Sequence, residues 1–228
     1  MRDVAALYAE GRGRITKLVS GLGPELVAGP VPCCPDWTVH DVMAHVTGVC
    51  TDILAGHLAG VGTDPWTAAQ VEARRERSID ELVDEWSDVA PQVEAFANNF
   101  PERMGEQWVA DLTTHEHDIR GAIGEPGERD TPQLRTGLGF LVEMAFARSL
   151  EERGLPALCV RAGGEEWTIG GDEAGTTLEA SPFELFRALT GRRSTAQLRA
   201  MNWSGDAEPY VAAFEYGPFV PSAVDITE

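Results

Sequence analysis

Residues 101–128 read PERMGEQWVADLTTHEHDIRGAIGEPGE, and the fold turns on whether this run is one helix. The pattern predicts a helix over 101–123, stopped by the GEPGE at 124–128. Its segment 110–120, ADLTTHEHDIR, holds two histidines, one glutamate and two aspartates in eleven residues. Such a segment is a metal site, an acid–base cluster or a solvated acidic face. On a helix, side chains four apart share a face one turn apart, which pairs Asp111 with His115. His117 is turned about 200° from His115, and Glu116 about 100°. One unbroken helix therefore aims only one of the two histidines at a given metal, and Glu116 and His117 are expected at the rim or in solvent.

Working outward, the chain reads as helical through residue 153. Over 2–22, Val4, Leu7, Tyr8, Ile15, Leu18 and Val19 recur at mostly helical spacings, and Gly21 and Gly23-Pro24 end the run. A Gly- and Pro-rich stretch, GPELVAGPVPCCPDW at 23–37, reads as a loop. Thr38 is the expected N-cap of a helix reaching Leu58, with Asp41 three positions on as a shortened capping box. Ser78 and Glu81 form a regular capping box ahead of Leu82, Trp86, Val89, Val93 and Phe96, with Pro91 as a kink or a break. Over 132–153, Leu138, Leu141, Val142, Ala145, Phe146 and Leu150 form one apolar stripe. The pattern then changes. ALCVRA, GGEE and WTIG (157–170) read as strand, turn and strand, and TTLEAS (176–181) as a third strand. SPFELFRALTG (181–191) is a short helix capped by Ser181 with Pro182 at its first position, and STAQLRAM (194–201) is another. The expected class is α plus α+β: a helical domain over 1–153 and a small α+β domain over 154–228.

Composition narrows the function. Of 228 residues, 43% are hydrophobic, enough for a packed core. Thirty-seven Asp and Glu against 18 Lys and Arg give a formal charge of −19. Such a surface repels phosphate backbones and anionic lipid, so nucleic acid and membranes are not expected partners. The N-terminus carries charges from its second residue and does not read as a signal peptide, and nowhere do about 18 apolar residues run together. Cys33, Cys34, Cys50 and Cys159 fit neither a CxxC zinc site nor a disulfide framework, which predicts a reduced, cytoplasmic setting.

Asp41 and His45 repeat the spacing of Asp111 and His115. A carboxylate and an imidazole four apart on one helix, with an imidazole from a neighbour, can supply three ligands to one metal inside a bundle. Two N and one O donors with a fourth position open suit catalytic Zn²⁺, and Ni²⁺ or Fe²⁺ also fit. The spacing alone leaves other readings open: Asp111 and His115 as a surface pair, His45 among Val42, Val46 and Val49 as a hydrogen-bonded core histidine, and Asp41 as a helix-start residue. His40 and His57 are expected to face solvent. Asp118 pairs with Arg120 or Arg129, or stands behind a ligand.

Two stretches taken together carry a resemblance. CCPDWTVHDVMAHVTG supplies Pro35, Trp37, Thr38, Asp41, Val42, His45 and Val46. DLTTHEHDIRGAIGEP supplies Asp111, His115, Asp118, Ile119, Arg120, Ala122, Ile123 and Gly124. Both resemble motifs of the mycothiol-dependent maleylpyruvate isomerase family, within the wider DinB-like metal-binding bundles. EEWTIGG and SPFELFRALTGRRS before WSGD are similar to that family's trailing α+β domain. The resemblance implies a DinB-like four-helix bundle with three protein ligands on a divalent metal, zinc first. Carried over by position, they are His45, Asp111 and His115.

The family pattern has Glu where this chain has Asp111. The shorter carboxylate draws the metal toward its helix, binds through water, or weakens the site. The implied chemistry is thiol-dependent, with mycothiol as co-substrate: metal-lowered thiol pKa, then thiolate addition to a small electrophile in isomerisation or S-transfer. No protein cysteine is then needed as nucleophile. Arg120, Arg148, Arg192 and Arg193 are candidates to bind thiol or a carboxylated substrate. Asp41 and Asp118 are candidates to fix the imidazole tautomers from behind. The alternatives are a non-catalytic metal- or ligand-binding protein on the same bundle, and an interaction module with unliganded buried histidines. In the last case the three side chains would not converge within about 4 Å of one point.

Overall fold

A computed structural model of the chain describes residues 3–101 and 103–228. Its contacts divide into two compact units, one ending at Gly127 and including Glu228, the other Glu128–Thr227. The architecture is α plus α+β: helices come first and a small sheet-containing region follows.

In the first unit the chain runs α1 (Val4–Val19), α2 (Pro24–Val27), a hairpin of β1 (Pro30–Val31) and β2 (Cys34–Thr38), α3 (Val39–Ala55), α4 (Asp64–Glu72), α5 (Ile79–Ala97) and α6 (Met104–Ile123). The long helices α1, α3, α5 and α6 form the bundle. Their shared core takes Tyr8, Ile15 and Val19 from α1, Val42, Met43 and Val46 from α3, Leu82, Trp86 and Val93 from α5, and Trp108, Leu112 and Ile119 from α6. Each such aliphatic side chain contributes about 1.5–3 kcal/mol on burial. The ring of Tyr8 stacks on Trp108 at 3.4 Å and 10°. Close approach of α1 and α6 depends on Gly11, where a Cβ would meet Leu112 Cδ2 at 2.7 Å.

The expected starts of α3 and α5 hold. Thr38 and Ser78 accept from the N–H groups of Asp41 and Glu81, and each acid reaches back to the cap backbone. Helix α5 carries Pro91 inside its span without a break. The expected start at Arg2 lies outside the described residues, and α6 begins at Met104 rather than at the expected Pro101. The stretch 23–37, expected as loop, holds a short helix and the hairpin. Helix α4 was not anticipated at all. Glu116 and His117 are only 1% and 4% exposed rather than at a rim. Helix α6 is buried almost all round from Trp108 to Ile119, so the assumption of one inward stripe fails there. Among the described residues no helix is long and apolar enough to cross a membrane.

The second unit holds α7 (Pro132–Phe140), which passes through a π-helical turn (Leu141–Phe146) into α8 (Ala147–Glu152). Then come β3 (Leu158–Ala162), β4 (Glu165–Ile169), β5 (Thr176–Ala180), α9 (Pro182–Leu189), α10 (Thr195–Arg199), β6 (Asn202–Trp203) and α11 (Glu208–Val211). The sheet order is β4-β3-β5-β6, with β3 and β5 parallel and the other pairs antiparallel. This division differs from the expected 1–153 and 154–228 boundary. The apolar stripe of 132–153 packs with the later elements: Phe146 lies against Phe214 at 4.6 Å, and Ser149 donates to the Ala213 carbonyl.

Candidate metal centre

Three side chains of the bundle meet at one point. His45 comes from α3, whose phase is set by the Thr38–Asp41 capping box. Asp111 and His115 come from α6. That helix is held against α1 by Glu116, which takes Arg14 Nη2 at 2.7 Å and Arg120 Nη2 at 2.9 Å. Asp111 Oδ1 lies 3.6 Å from His45 Nε2 and 3.6 Å from His115 Nε2. The three donor atoms all lie within 4.8 Å of one another. Ligands around a tetrahedral Zn²⁺ at about 2.0–2.1 Å sit roughly 3.4 Å apart, so the two short separations suit a shared cation. The imidazoles are buried, at 4% and 9% side-chain exposure, whereas Asp111 is 36% exposed. Access is therefore over the carboxylate.

The hydrogen bonds behind the rings select which nitrogen faces inward. Asp118, fully buried, accepts from His115 Nδ1 at 3.1 Å. Gln70 Oε1 lies 2.8 Å from His45 Nδ1, and Gln70 Nε2 donates to Asp52 Oδ2 at 2.6 Å. Asp52 only accepts, so the amide of Gln70 must turn its NH₂ to Asp52 and its oxygen to His45. Both rings then keep a proton on Nδ1, and Nε2 is the atom each turns toward Asp111. This donor set fits a divalent cation. Aromatic rings wall it: Trp37 of β2 lies parallel to His115 at 5.9 Å and 5.3 Å from the His45 ring, and Trp66 of α4 is edge-on to His45 at 6.2 Å.

The same family signature runs through the sequence around this point. Residues 8–125 match the mycothiol maleylpyruvate isomerase N-terminal domain, just over half of the chain and all of the bundle's site residues. The chain belongs to that family. No curated protein and no solved structure matches it.

Electrostatics follow from the packing of these three side chains. Burial pushes the Asp111 carboxyl up, but the charges and hydrogen bonds of His45 and His115 outweigh it and hold it well below the ordinary carboxylate range. Burial pushes His115 down, but its bonds to Asp111 and Asp118 win and raise it to about 9. Without a metal, a proton on His115 takes the place of the cation between the two carboxylates.

The other expected residues are placed as follows. Asp118 lies against His115 Nδ1, and its carboxylate also accepts from the thiols of Cys33 at 3.3 Å and Cys34 at 3.9 Å. Asp41 bonds Thr38 in the capping box and lies 3.9 Å from His40, so it serves the helix start rather than His45. Arg120 binds Glu116. Arg148 is exposed and pairs with Glu152 in the second unit. In that unit Arg192 donates to the Thr190 carbonyl, and Arg193 pairs with Glu184 at 2.8 Å. His57 faces solvent, while His40 is half-buried on the Arg77 carbonyl. Gln70, Asp52 and Trp66 were not singled out from sequence. Trp37 was quoted only as a motif residue. The Thr63 cap and Pro65 near the start of α4 were the available signals for that helix.

Proposed function

We propose that the chain is a divalent-metal-dependent enzyme that uses a low-molecular-weight thiol, mycothiol first, for isomerisation or S-transfer on a small electrophile. The observation that carries this is the convergence of one carboxylate and two imidazoles, each backed at Nδ1 by Gln70 or Asp118, on a single point. His45, Asp111 and His115 hold the metal, with Zn²⁺ first among candidates for two nitrogens and one oxygen. When bound there, the cation supplies a lowered thiol pKa and so a thiolate at neutral pH.

The chain's own residues do the rest. One carboxylate and two neutral imidazoles would leave a divalent ion a single net positive charge, which would favour an anionic sulfur there. The exposed side of Asp111 is the entry. Trp37 and Trp66 exclude water around the imidazoles and strengthen charge interactions there. Asp118 holds the proton on His115 Nδ1 throughout. The reading does not require Arg120, Arg148, Arg192 or Arg193 to leave their present pairs, and it places anion recognition by them second. Cys33, Cys34, Cys50 and Cys159 are thiols rather than disulfides, which suits a reducing cytoplasm.

Elemental analysis of the purified protein beside His45→Ala and His115→Ala tests the reading. About one divalent ion per chain in wild type, lost in both variants, is expected. Thiol-dependent turnover of maleylpyruvate or of an electrophile panel should follow the metal. Metal without any such turnover would favour a non-catalytic binding protein, and no uptake of Zn²⁺ or Ni²⁺ would sink the metal reading.

A further inference from the structure

Helix α4 is built in an unusual way. Its only buried residue is polar: Gln70, 3% exposed. The amide sits between His45 Nδ1 at 2.8 Å and Asp52 Oδ2 at 2.6 Å. Gly48 of α3 makes room for it, because a Cβ there would meet Gln70 Cβ at 2.6 Å. One turn before Gln70, Trp66 sets its ring edge-on to the same histidine and donates to the His57 carbonyl at 3.0 Å. One turn after, Arg74 donates to the Gln70 carbonyl at 3.2 Å and to Thr51 Oγ1 of α3 at 3.0 Å, and it pairs with Glu85 of α5. In this nine-residue helix Trp66 packs partly buried against the core, and the one fully buried side chain is the amide of Gln70. The inward face of α4 is spent on His45.

We infer that Gln70 is a positioning residue for the metal ligand His45, and that Asp52 sets its direction: the chain Asp52–Gln70–His45 fixes the Nδ1–H tautomer and keeps Nε2 free for the cation. The inference rests on the metal reading for its consequence, but not for its geometry. Asp52 has no hydrogen to give when ionised, so it accepts from Gln70 NH₂ and forces the amide oxygen toward the ring. His57 Nδ1, 3.8 Å from Asp52 Oδ1, is the other charged-group neighbour and sits 75% exposed. His115 is backed by a carboxylate and His45 by a neutral amide. Removing the ionic anchor at Asp52 therefore leaves an amide that can turn over. A turned amide presents NH₂ to Nδ1, moves the ring proton to Nε2 and blocks the ligand.

This predicts an effect from an isosteric change two residues removed from the metal. Zn²⁺ affinity, read by chelator competition, should fall about tenfold in Asp52→Asn and up to about 100-fold in Gln70→Ala. The double variant Gln70→Glu with Asp52→Asn reverses the charge order. Its new carboxylate accepts from both His45 Nδ1–H and the new amide, so affinity should return to within about threefold of wild type. A merely structural role would not be rescued by exchanging the charge. Thermal melting of the metal-free proteins checks that all fold. Side-chain ¹⁵N shifts of His45 in metal-free protein at alkaline pH read the tautomer directly: Nδ1–H in wild type and in the double variant, mixed in Asp52→Asn. Wild-type affinity in Asp52→Asn, no recovery in the double variant, or an Nε2–H tautomer in wild type would each overturn the inference. Absence of metal uptake by wild type, with the tautomers as expected, would instead fell the proposed function and leave the relay standing.

Discussion

At the residue scale, the site is a balance of the half-buried Asp111 carboxylate, two imidazoles, and the buried carboxylate of Asp118 behind His115. The His115 pKa of about 9 lies above the ordinary 6.5 for histidine. Its protonation therefore stabilises the metal-free fold fully below about 6.5, and that contribution is lost as the pH rises through about 9. A cation at the site must displace this proton. Zn²⁺ affinity should accordingly rise with pH up to about 9 and then level off, with proton release on binding at neutral pH seen by calorimetry in buffers of different ionisation enthalpy. A flat affinity between pH 6 and 9 would contradict the arrangement. Asp118→Asn leaves Asp111 in place but removes the second carboxylate that raises His115, the one that fixes its Nδ1 proton. It should weaken metal binding by about 10–100-fold and shift the pH at which affinity levels off downward. Asp111→Glu places a longer carboxylate at the same position. One extra methylene extends the carboxylate's reach, so metal should be retained, whereas Asp111→Ala should lose it.

At the element scale, legibility followed hydrophobic period. The helices α1, α3, α5 and α6 show an apolar face or a capping box, and their existence and caps were readable from Thr38–Asp41 and Ser78–Glu81. The four-residue spacing paired Asp111 with His115 on α6 and left other readings open, and His45 joined them through the resemblance to the isomerase family. Helix α4 was invisible since its buried residue is Gln70, and a period search looks for apolar side chains. The burial of Glu116 and His117 was missed for the opposite reason. Helix α6 is buried on nearly all sides, and polar residues there are paired rather than solvated. Two variants probe these elements. Gly48→Ala drives a methyl into Gln70, as the 2.6 Å approach shows. It should cost about 1–3 kcal/mol of stability and lower metal affinity together, whereas Gly13→Ala, with nothing within 4 Å, should do neither. Glu116→Gln leaves Arg14 and Arg120 sharing a neutral amide. Because both guanidinium groups keep partial exposure, at 22% and 12%, the expected loss is about 1–3 kcal/mol, below the cost of a fully buried broken pair, measured by denaturant unfolding.

At the scale of the whole molecule, charge and metal binding pull in the same direction and must be separated. A chain with a formal charge of −19 attracts divalent cations everywhere on its surface, so metal content alone does not prove a site. The bundle offers a sharper criterion. All three donors lie in the unit ending at Gly127, and a cation held by them binds the folded state alone. At a free concentration 100 times the dissociation constant this stabilises by about 2.7 kcal/mol, which for a chain of this size raises the melting temperature by roughly 5–10 °C. Diffuse screening of the acidic surface gives a different signature. It is matched by Mg²⁺, grows with ionic strength, and persists in His115→Ala. Zn²⁺ at low micromolar concentration should therefore raise the melting temperature of wild type and leave His115→Ala unmoved, with Mg²⁺ or added NaCl shifting both alike. Equal Zn²⁺ shifts in the two proteins would show the stabilisation to be surface charge neutralisation, and His45, Asp111 and His115 to be a buried polar cluster satisfied by a proton on His115.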